Sequence, residues 1–422
     1  MDRSFVTPPD RERNAFFASL VERATDTVVT ALGPDEIEAL LLIGAPARGD
    51  ATVAKTDDGW ASLSDVDLVC LTSPTADERA LSARLGPALA ELNGKLAGIS
   101  PGVDVGFKTH ADLASPAPYI SNYECLLSPL VVWGNERAIE GVAPPDIRSI
   151  PPAESLRLAH NRIVETLLAR RDLEAAASER STALRVLYRI AKLALDGATA
   201  LLYLARKVPP TYAARVEAFE REMGGRRTEP ALESFRPDLA AWAAFKSTAD
   251  PEALRALPEL SDAAPETAAR RVWLRYAGYA ESIWRLTLGA TVDADLRGSE
   301  MSLVAAQYRR LESPAKRAGR AFRIVRGGAA PSGLFSPWRV LAGAPLASPM
   351  NLAYLTGVII YAGHRDGAPR EWIDREIRTR CPFRLPPGFG ELPEERRLDV
   401  IVDRLALFHE TMLLGRKAGM TT

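Results

Sequence analysis

At 422 residues the chain is too long for one ordinary core and points to two or three domains. Its composition, 47% hydrophobic and 25% charged with a formal net charge of -1, is that of a globular protein. It excludes the strongly basic character that usually marks a binder of long nucleic acid, so no strong general nucleic-acid footprint is expected and only a local basic groove stays open. The three cysteines, Cys70, Cys125 and Cys381, lie far apart with no CxxC pair and no histidine at ligand spacing, which excludes a disulfide framework and a structural zinc site.

The opening MDRSFVTPPDRER lacks the apolar segment of a signal peptide, and the cysteine usage fits a reducing compartment, so the expected location is cytoplasmic. Arg11 to Leu32 carries helical periodicity and ends at Gly33-Pro34. Ala39 to Ile43 is a short apolar run closed by Gly44, the pattern of a buried strand. Gly49 to Ser64 reads as a long polar loop, with Asp57 and Asp58 as ordinary loop residues. Val66 to Leu71 and Val103 to Phe107 read as strands that each carry a carboxylate, with a helix over Thr75 to Leu96 between them. Leu126 to Trp133 supplies a further strand.

Prolines 144, 145, 151 and 152 in the segment Ala143 to Ser155 can continue neither a helix nor a central strand, which sets a domain boundary there. Beyond it, Glu154–Glu174, Arg180–Lys207, Thr211–Met223, Ala231–Ser247 and Pro265–Gly289 all carry helical periodicity. An irregular Gly- and Pro-bearing region spans Arg326 to Pro349. The longest uncharged stretch, Val340 to His364, is interrupted by Gly343, Pro345, Pro349 and Asn351 and fits a loop and a buried helix, not a membrane span. Further helices are expected at Met350–Ala362, Arg370–Thr379 and Glu394–Lys417. The expected organisation is an α/β (α+β) domain with a mixed sheet over residues 1–142, a helical domain over 153–300 that closes on it, and a mostly helical region over 301–422.

The chemistry-bearing segment is IGAPARGDATVAKTDDGWASLSDVDLVCL, Ile43 to Leu71. Asp65 and Asp67 stand two apart at the start of a strand, so both side chains point to one face, roughly 7 Å apart. Two carboxylates there repel each other unless a cation neutralises them, and hard divalent cations suit oxygen donors. Asp104 occupies an equivalent VDV setting on a later strand and completes a three-carboxylate set. Such a set can hold two Mg²⁺ (or Mn²⁺) ions about 4 Å apart, clamping the attacking and leaving oxygens of an in-line phosphoryl displacement. Gly44, after a strand and before a turn, allows close backbone approach to a phosphate. The alternative for the acidic pair is a solvated strand edge, which the flanking apolar residues and the Gly44 turn disfavour.

This combination resembles the DNA polymerase β-like nucleotidyltransferase superfamily, whose mark is a strand, a Gly-Ser or Gly-Gly turn, an Asp-x-Asp on the next strand and a third acid later. Here these are Ala39–Ile43, Gly44-Ala45, Asp65-Val66-Asp67 and Asp104, and Ala47-Arg48-Gly49-Asp50 is similar to the continuation in antibiotic-modifying and toxin-neutralising members. The resemblance covers about the first 135 residues. One departure is Ala45, which stands where the family has a serine whose hydroxyl bonds a phosphate, leaving the backbone amides of Gly44 and Ala45 to that role.

What the resemblance implies is transfer of a nucleoside monophosphate from an NTP, most simply ATP, to a hydroxyl acceptor with release of pyrophosphate. Asp65 and Asp67 would bind both metals, and Asp104 the one that activates the acceptor oxygen. Gly44, Ala45, Arg48, Ser64 and Lys192 form the expected nucleotide-binding set. Arg185, Arg189, Lys192 and Asp196 fall on one helix face, either as a solvated stripe with i,i+4 ion pairs or as a stripe closing over the nucleotide, with Lys192 on the triphosphate and Asp196 near the acceptor. The acceptor itself, a small molecule, a protein or RNA, is not readable, nor is any motif from Met301 onward; that region either shapes the acceptor site or forms an oligomer contact. Rival expectations are an oligonucleotide or second-messenger synthase, an RNA end-adding enzyme, and a nucleotide-sensing or partner-binding pseudoenzyme. His110, His160, His364 and His409 are scattered, and Trp242, Trp273 and Trp284 read as core.

Overall fold

A computed structural model of the chain describes residues 4–223, 230–261, 263–291, most of 306–326, 385–417 and isolated positions between 340 and 383. The expected helices at Met350–Ala362 and Arg370–Thr379, the region Arg326–Pro349, His364 and Cys381 lie largely or wholly outside the described residues.

The first helix, α1 (Arg11–Leu32), begins where the Asp10 carboxylate accepts the Arg13 amide at 2.8 Å and ends at Gly33, φ 86°. Next come β1 (Ala39–Leu42) and a single helical turn, α2 (Gly44–Ala47). The stretch expected to be a loop is instead a hairpin, β2 (Val53–Thr56) and β3 (Gly59–Ser62), in which Thr56 pairs with Gly59 around an exposed Asp57-Asp58 turn. An Asp-Gly at the end of a two-residue turn is a hairpin signal, and the polar look of the stretch hid it.

After β4 (Val66–Leu71), the helix α3 (Glu78–Leu96) is capped by Asp77. It leads to β5 (Val103–Lys108), to the short helices α4 (His110–Ala114) and α5 (Ile120–Leu126), and to β6 (Leu130–Gly134). The expected strand at Leu126–Trp133 therefore starts four residues late, because α5 ends at Leu126.

The main sheet is mixed, with strand order β5-β4-β1-β6; β1 runs antiparallel to β4 and β6, while β4 and β5 are parallel. Period-two alternation sorts its side chains between two faces. Leu40, Leu42, Val66, Leu68, Cys70, Val103 and Val105 pack with the apolar faces of α1 and α3. Ala39, Leu41, Ile43, Val69 and Leu71 pack on the other side with Leu113, Leu126 and Val131. Asp67 and Asp104, interleaved with the first set, are thereby directed to the second face.

From Pro152 the chain is helical: α6 (Pro152–Ala169), α7 (Leu173–Ala176), α8 (Arg180–Leu204), α9 (Tyr212–Met223), α10 (Pro230–Phe235), α11 (Leu239–Thr248) and α12 (Pro265–Thr291). The expected Ala231–Ser247 helix is two helices, because Pro237 interrupts it within a 3-10 turn at Arg236–Asp238. Helix α8 is the central element, packed by α6, α9, α11 and α12 and buried along almost its whole length. Trp242, Trp273 and Trp284 are core residues, and the indole of Trp273 donates to the Thr166 carbonyl at 2.7 Å. Further on, helices cover Pro314–Arg326 and Glu394–Lys417. The latter packs against α6, with ion pairs from Arg170 to Asp399 at 3.2 Å and from Arg171 to Asp403 at 3.0 Å.

No helix among the described residues is long and apolar enough to cross a membrane.

Candidate active site

A cleft of about 580 Å³ lies between the second face of the sheet and the helical part. The expected acidic and nucleotide-binding residues line it: Gly44, Ala45, Arg48, Ser64, Asp65, Asp67, Asp104 and Lys192. Parallel pairing of β4 and β5 puts Asp67 and Asp104 in direct register, on strands whose spacing is about 4.8 Å. Asp65 is exposed at the strand start, and Asp67 and Asp104 are half-buried. Gly44 has φ 77°, and a Cβ there would sit 3.8 Å from Asp67 Oδ2, so the turn and the acidic strand meet closely. The Ile43 amide also donates to the Asp67 carbonyl at 3.0 Å, tying the end of β1 to β4.

Among the described residues, no three acidic, histidine or cysteine side chains come together closely enough, as they stand, to hold a metal ion. The donor set still fits a hard divalent cation in its chemistry. Three carboxylates from two adjacent strands border one cleft, and rotation of aspartate side chains alone changes how far they converge. Cys125 lines the same cleft, but burial first, and then the charges of Asp67 and Glu124, push its thiol up to about 12. It stays a thiol and offers no thiolate ligand.

The cationic wall is more tightly organised than the acidic one. Arg48 pairs with Glu124 at 3.3 Å and also donates to the Glu124 carbonyl at 3.1 Å. Arg215 meets the same carboxylate at 2.8 Å, and the Tyr203 hydroxyl donates to it at 2.6 Å. Burial opposes the charge of Glu124, but Arg215 and Arg48 together hold its carboxyl below the usual range. Arg48, expected as a phosphate contact, is thus occupied by Glu124. Ser64 is occupied as well, since its hydroxyl accepts the Thr52 amide at 3.0 Å and lies 3.3 Å from the Tyr188 hydroxyl.

On α8 the four-residue stripe divides. Arg189 pairs with Asp172 at 2.7 Å and Arg185 donates to Thr182, whereas Lys192 and Asp196 line the cleft. Asp196 is buried and does not belong to a solvated face; it pairs with Arg162 at 2.9 Å and accepts the Tyr212 hydroxyl at 2.9 Å. Lys192 stands over the Tyr188 ring at 5.9 Å. Burial and the neighbouring Arg162 work against its charge, but Glu165, Tyr188 and Asp65 outweigh them and lift the ammonium above its ordinary value. It therefore stays protonated.

Several lining residues carried no local signal in the sequence. Helix α6 contributes Glu154, Arg157, Asn161, Arg162 and Glu165, α9 contributes Arg215, and Tyr354 comes from the C-terminal region. Lys246 had one available cue, as the only charged residue of α11. It is 1% exposed, donates to the Asp50 carbonyl at 2.9 Å and to Thr52 Oγ1 at 2.8 Å, and lies over the rings of Tyr188 and Tyr212. Those bonds join α11 to the segment just after α2 and close the floor of the cleft.

Compared with known proteins, the chain matches no family model, and no curated protein matches its sequence.

Proposed function

We propose that the chain is a metal-dependent nucleotidyltransferase of the DNA polymerase β-like type, transferring a nucleoside monophosphate, most simply AMP from ATP, to a hydroxyl and releasing pyrophosphate. The observation that carries this reading is the register of Asp67 with Asp104 on parallel strands, with Asp65 beside them on the same cleft. In this scheme Asp65 and Asp67 would hold both Mg²⁺ ions, and Asp104 would share in holding one of them. Ions held by these carboxylates would supply Lewis-acid stabilisation of the phosphoryl charge and would lower the pKa of the acceptor hydroxyl.

The chain's own groups do the rest. The backbone at Gly44 and Ala45 borders the phosphate position, and the protonated Lys192 faces it from α8. Arg48 acts by holding Glu124, and so the α5 wall, in place. Arg157, Asn161 and Glu165 on α6, with Tyr354, line the same cleft, and in this scheme they would meet the acceptor.

Titration calorimetry of the native chain and of Asp65→Ala/Asp67→Ala with ATP, with and without Mg²⁺, tests this. Binding should require Mg²⁺ and be lost in the double variant; metal-independent binding that survives the double change overturns the two-metal scheme. A second reading, a nucleotide-binding protein without turnover, is favoured by Ala45 in place of a hydroxyl residue and by the unconverged carboxylates. Incubation with labelled ATP, CTP, GTP and UTP in a cell extract separates the two, since only the transferase leaves label in protein, RNA or small molecules.

A further inference from the structure

Among the described residues, the cationic side chains that line the cleft divide by what they already hold. The arginines are taken: Arg48 and Arg215 pair with Glu124, Arg157 with Glu154 at 3.0 Å, and Arg162 with Asp196. The lysines, Lys192 and Lys246, form no ion pair among the described residues. An ammonium group has three N–H donors. Lys246 gives two of them to neutral acceptors, the Asp50 carbonyl and Thr52 Oγ1, and Lys192 donates no hydrogen bond among the described residues.

Both lysines meet on Tyr188. Its ring carries Lys192 at 5.9 Å and Lys246 at 5.2 Å, and its hydroxyl lies 3.3 Å from that of Ser64, the neighbour of Asp65. Two ammonium groups so placed repel each other, and withdrawing them from water costs stability unless an anion answers both. Asp50 acts on Lys246, and Glu165 and Asp65 act on Lys192, only from beyond ion-pair distance, and Asp50 is shared with Arg48 and Arg215. Lys246 is also tied to the glycine turn. The residue whose carbonyl it holds, Asp50, donates its amide to the Ala45 carbonyl at 2.9 Å.

We propose that Lys192 and Lys246 form a polyphosphate subsite around Tyr188, in which Lys246 supplies, as a cation, the phosphate contact that Ala45 cannot make for want of a hydroxyl. The subsite stands on the two ammonium groups, the ring they share and their place in the cleft. Only the assignment of the bound chain to the β- and γ-phosphates of an NTP rests on the transferase reading. Linked phosphates suit it better than a single one, because each lysine then meets its own charge.

Titration calorimetry of the full chain in excess Mg²⁺, with sodium tripolyphosphate, orthophosphate and ATP, tests it. The native chain should bind tripolyphosphate at least about 10-fold more tightly than orthophosphate, as one more charge-assisted contact is made. Equal affinity, or no binding of tripolyphosphate, overturns the proposal without recourse to any variant. Lys246→Met, which keeps the apolar stem, should lose at least about 10-fold in tripolyphosphate affinity. Should that variant fail to fold, Lys246→Gln, which keeps an N–H donor, should show the same loss. Ala45→Ser added to whichever variant folds should recover part of the loss, which a purely structural role for Lys246 does not allow. Unchanged affinity in the lysine variant, or no recovery with the serine, overturns the role given to Lys246. Tripolyphosphate bound where ATP is not would overturn the transferase reading and leave the subsite standing.

Discussion

Asp67 on β4 and Asp104 on β5 are register partners across a parallel strand pair, and both border the cleft between the sheet and the helices. Like charges held that close cost stability unless something neutralises them. Asp67→Asn and Asp104→Asn are therefore expected to unfold at an equal or higher temperature than the native chain in metal-free buffer. In an assay of nucleotide transfer each should lose on the order of 10²–10³-fold in kcat, the usual cost of removing one group that stabilises charge in the transition state. A marked drop in melting temperature with activity retained would contradict both roles.

Lys192 faces the same cleft from α8, protonated and stacked on Tyr188. Lys192→Met keeps the apolar stem and removes the charge. Weaker nucleotide binding is expected, by about 10-fold or more as charge-assisted hydrogen bonds to phosphate are lost. Calorimetry with ATP against adenosine checks this: the adenosine affinity should not move.

Glu124 is a structural hub, because Arg48 and Arg215 share its carboxylate. Glu124→Gln leaves two guanidinium groups without their counter-charge in a buried setting. Removing one partner of such a cluster costs about 3–5 kcal/mol, so the urea midpoint should fall sharply. Exposed Glu91, whose partner Lys95 is also exposed, gives the control, with Glu91→Gln expected to leave the midpoint nearly unchanged.

His160 is fully buried in α6 near Trp284, and burial lowers its imidazole pKa to about 3. A folded-state value below the unfolded one near 6.5 means that the unfolded chain binds the extra proton first. Stability from the neutral ring is thus complete above about pH 6.5 and is lost as pH falls towards 3, at up to about 1.4 kcal/mol per unit. Urea unfolding of the native chain and of His160→Gln across pH 4–7 should show a shallower pH slope in the variant.

The acidic site was legible early because its information is local. Asp65 and Asp67 are two residues apart on one strand, Gly44 follows another, and a period of two fixes which face each side chain takes. Helix α1 and strand β4 were read to their observed ends for the same reason. The β2–β3 hairpin was missed because its residues look polar, although Asp58-Gly59 carried the turn signal. The start of β6 and the break between α10 and α11 were misplaced where apolar runs continue through a change of structure.

The sequence by itself determined the chemistry on offer: three carboxylates in strand settings, a glycine turn and a cationic helix face. Tertiary structure alone decided which of these groups have other employment. Arg48 and Ser64 border the cleft yet are engaged by Glu124, Thr52 and Tyr188, while Asp196 is buried against Arg162. Lys246 joins the site from nearly two hundred residues beyond Asp50 and Thr52. Such partners come together only when the helices pack on the sheet, because a buried polar group must find its counterpart in space, and no local pattern records where that counterpart lies in the chain.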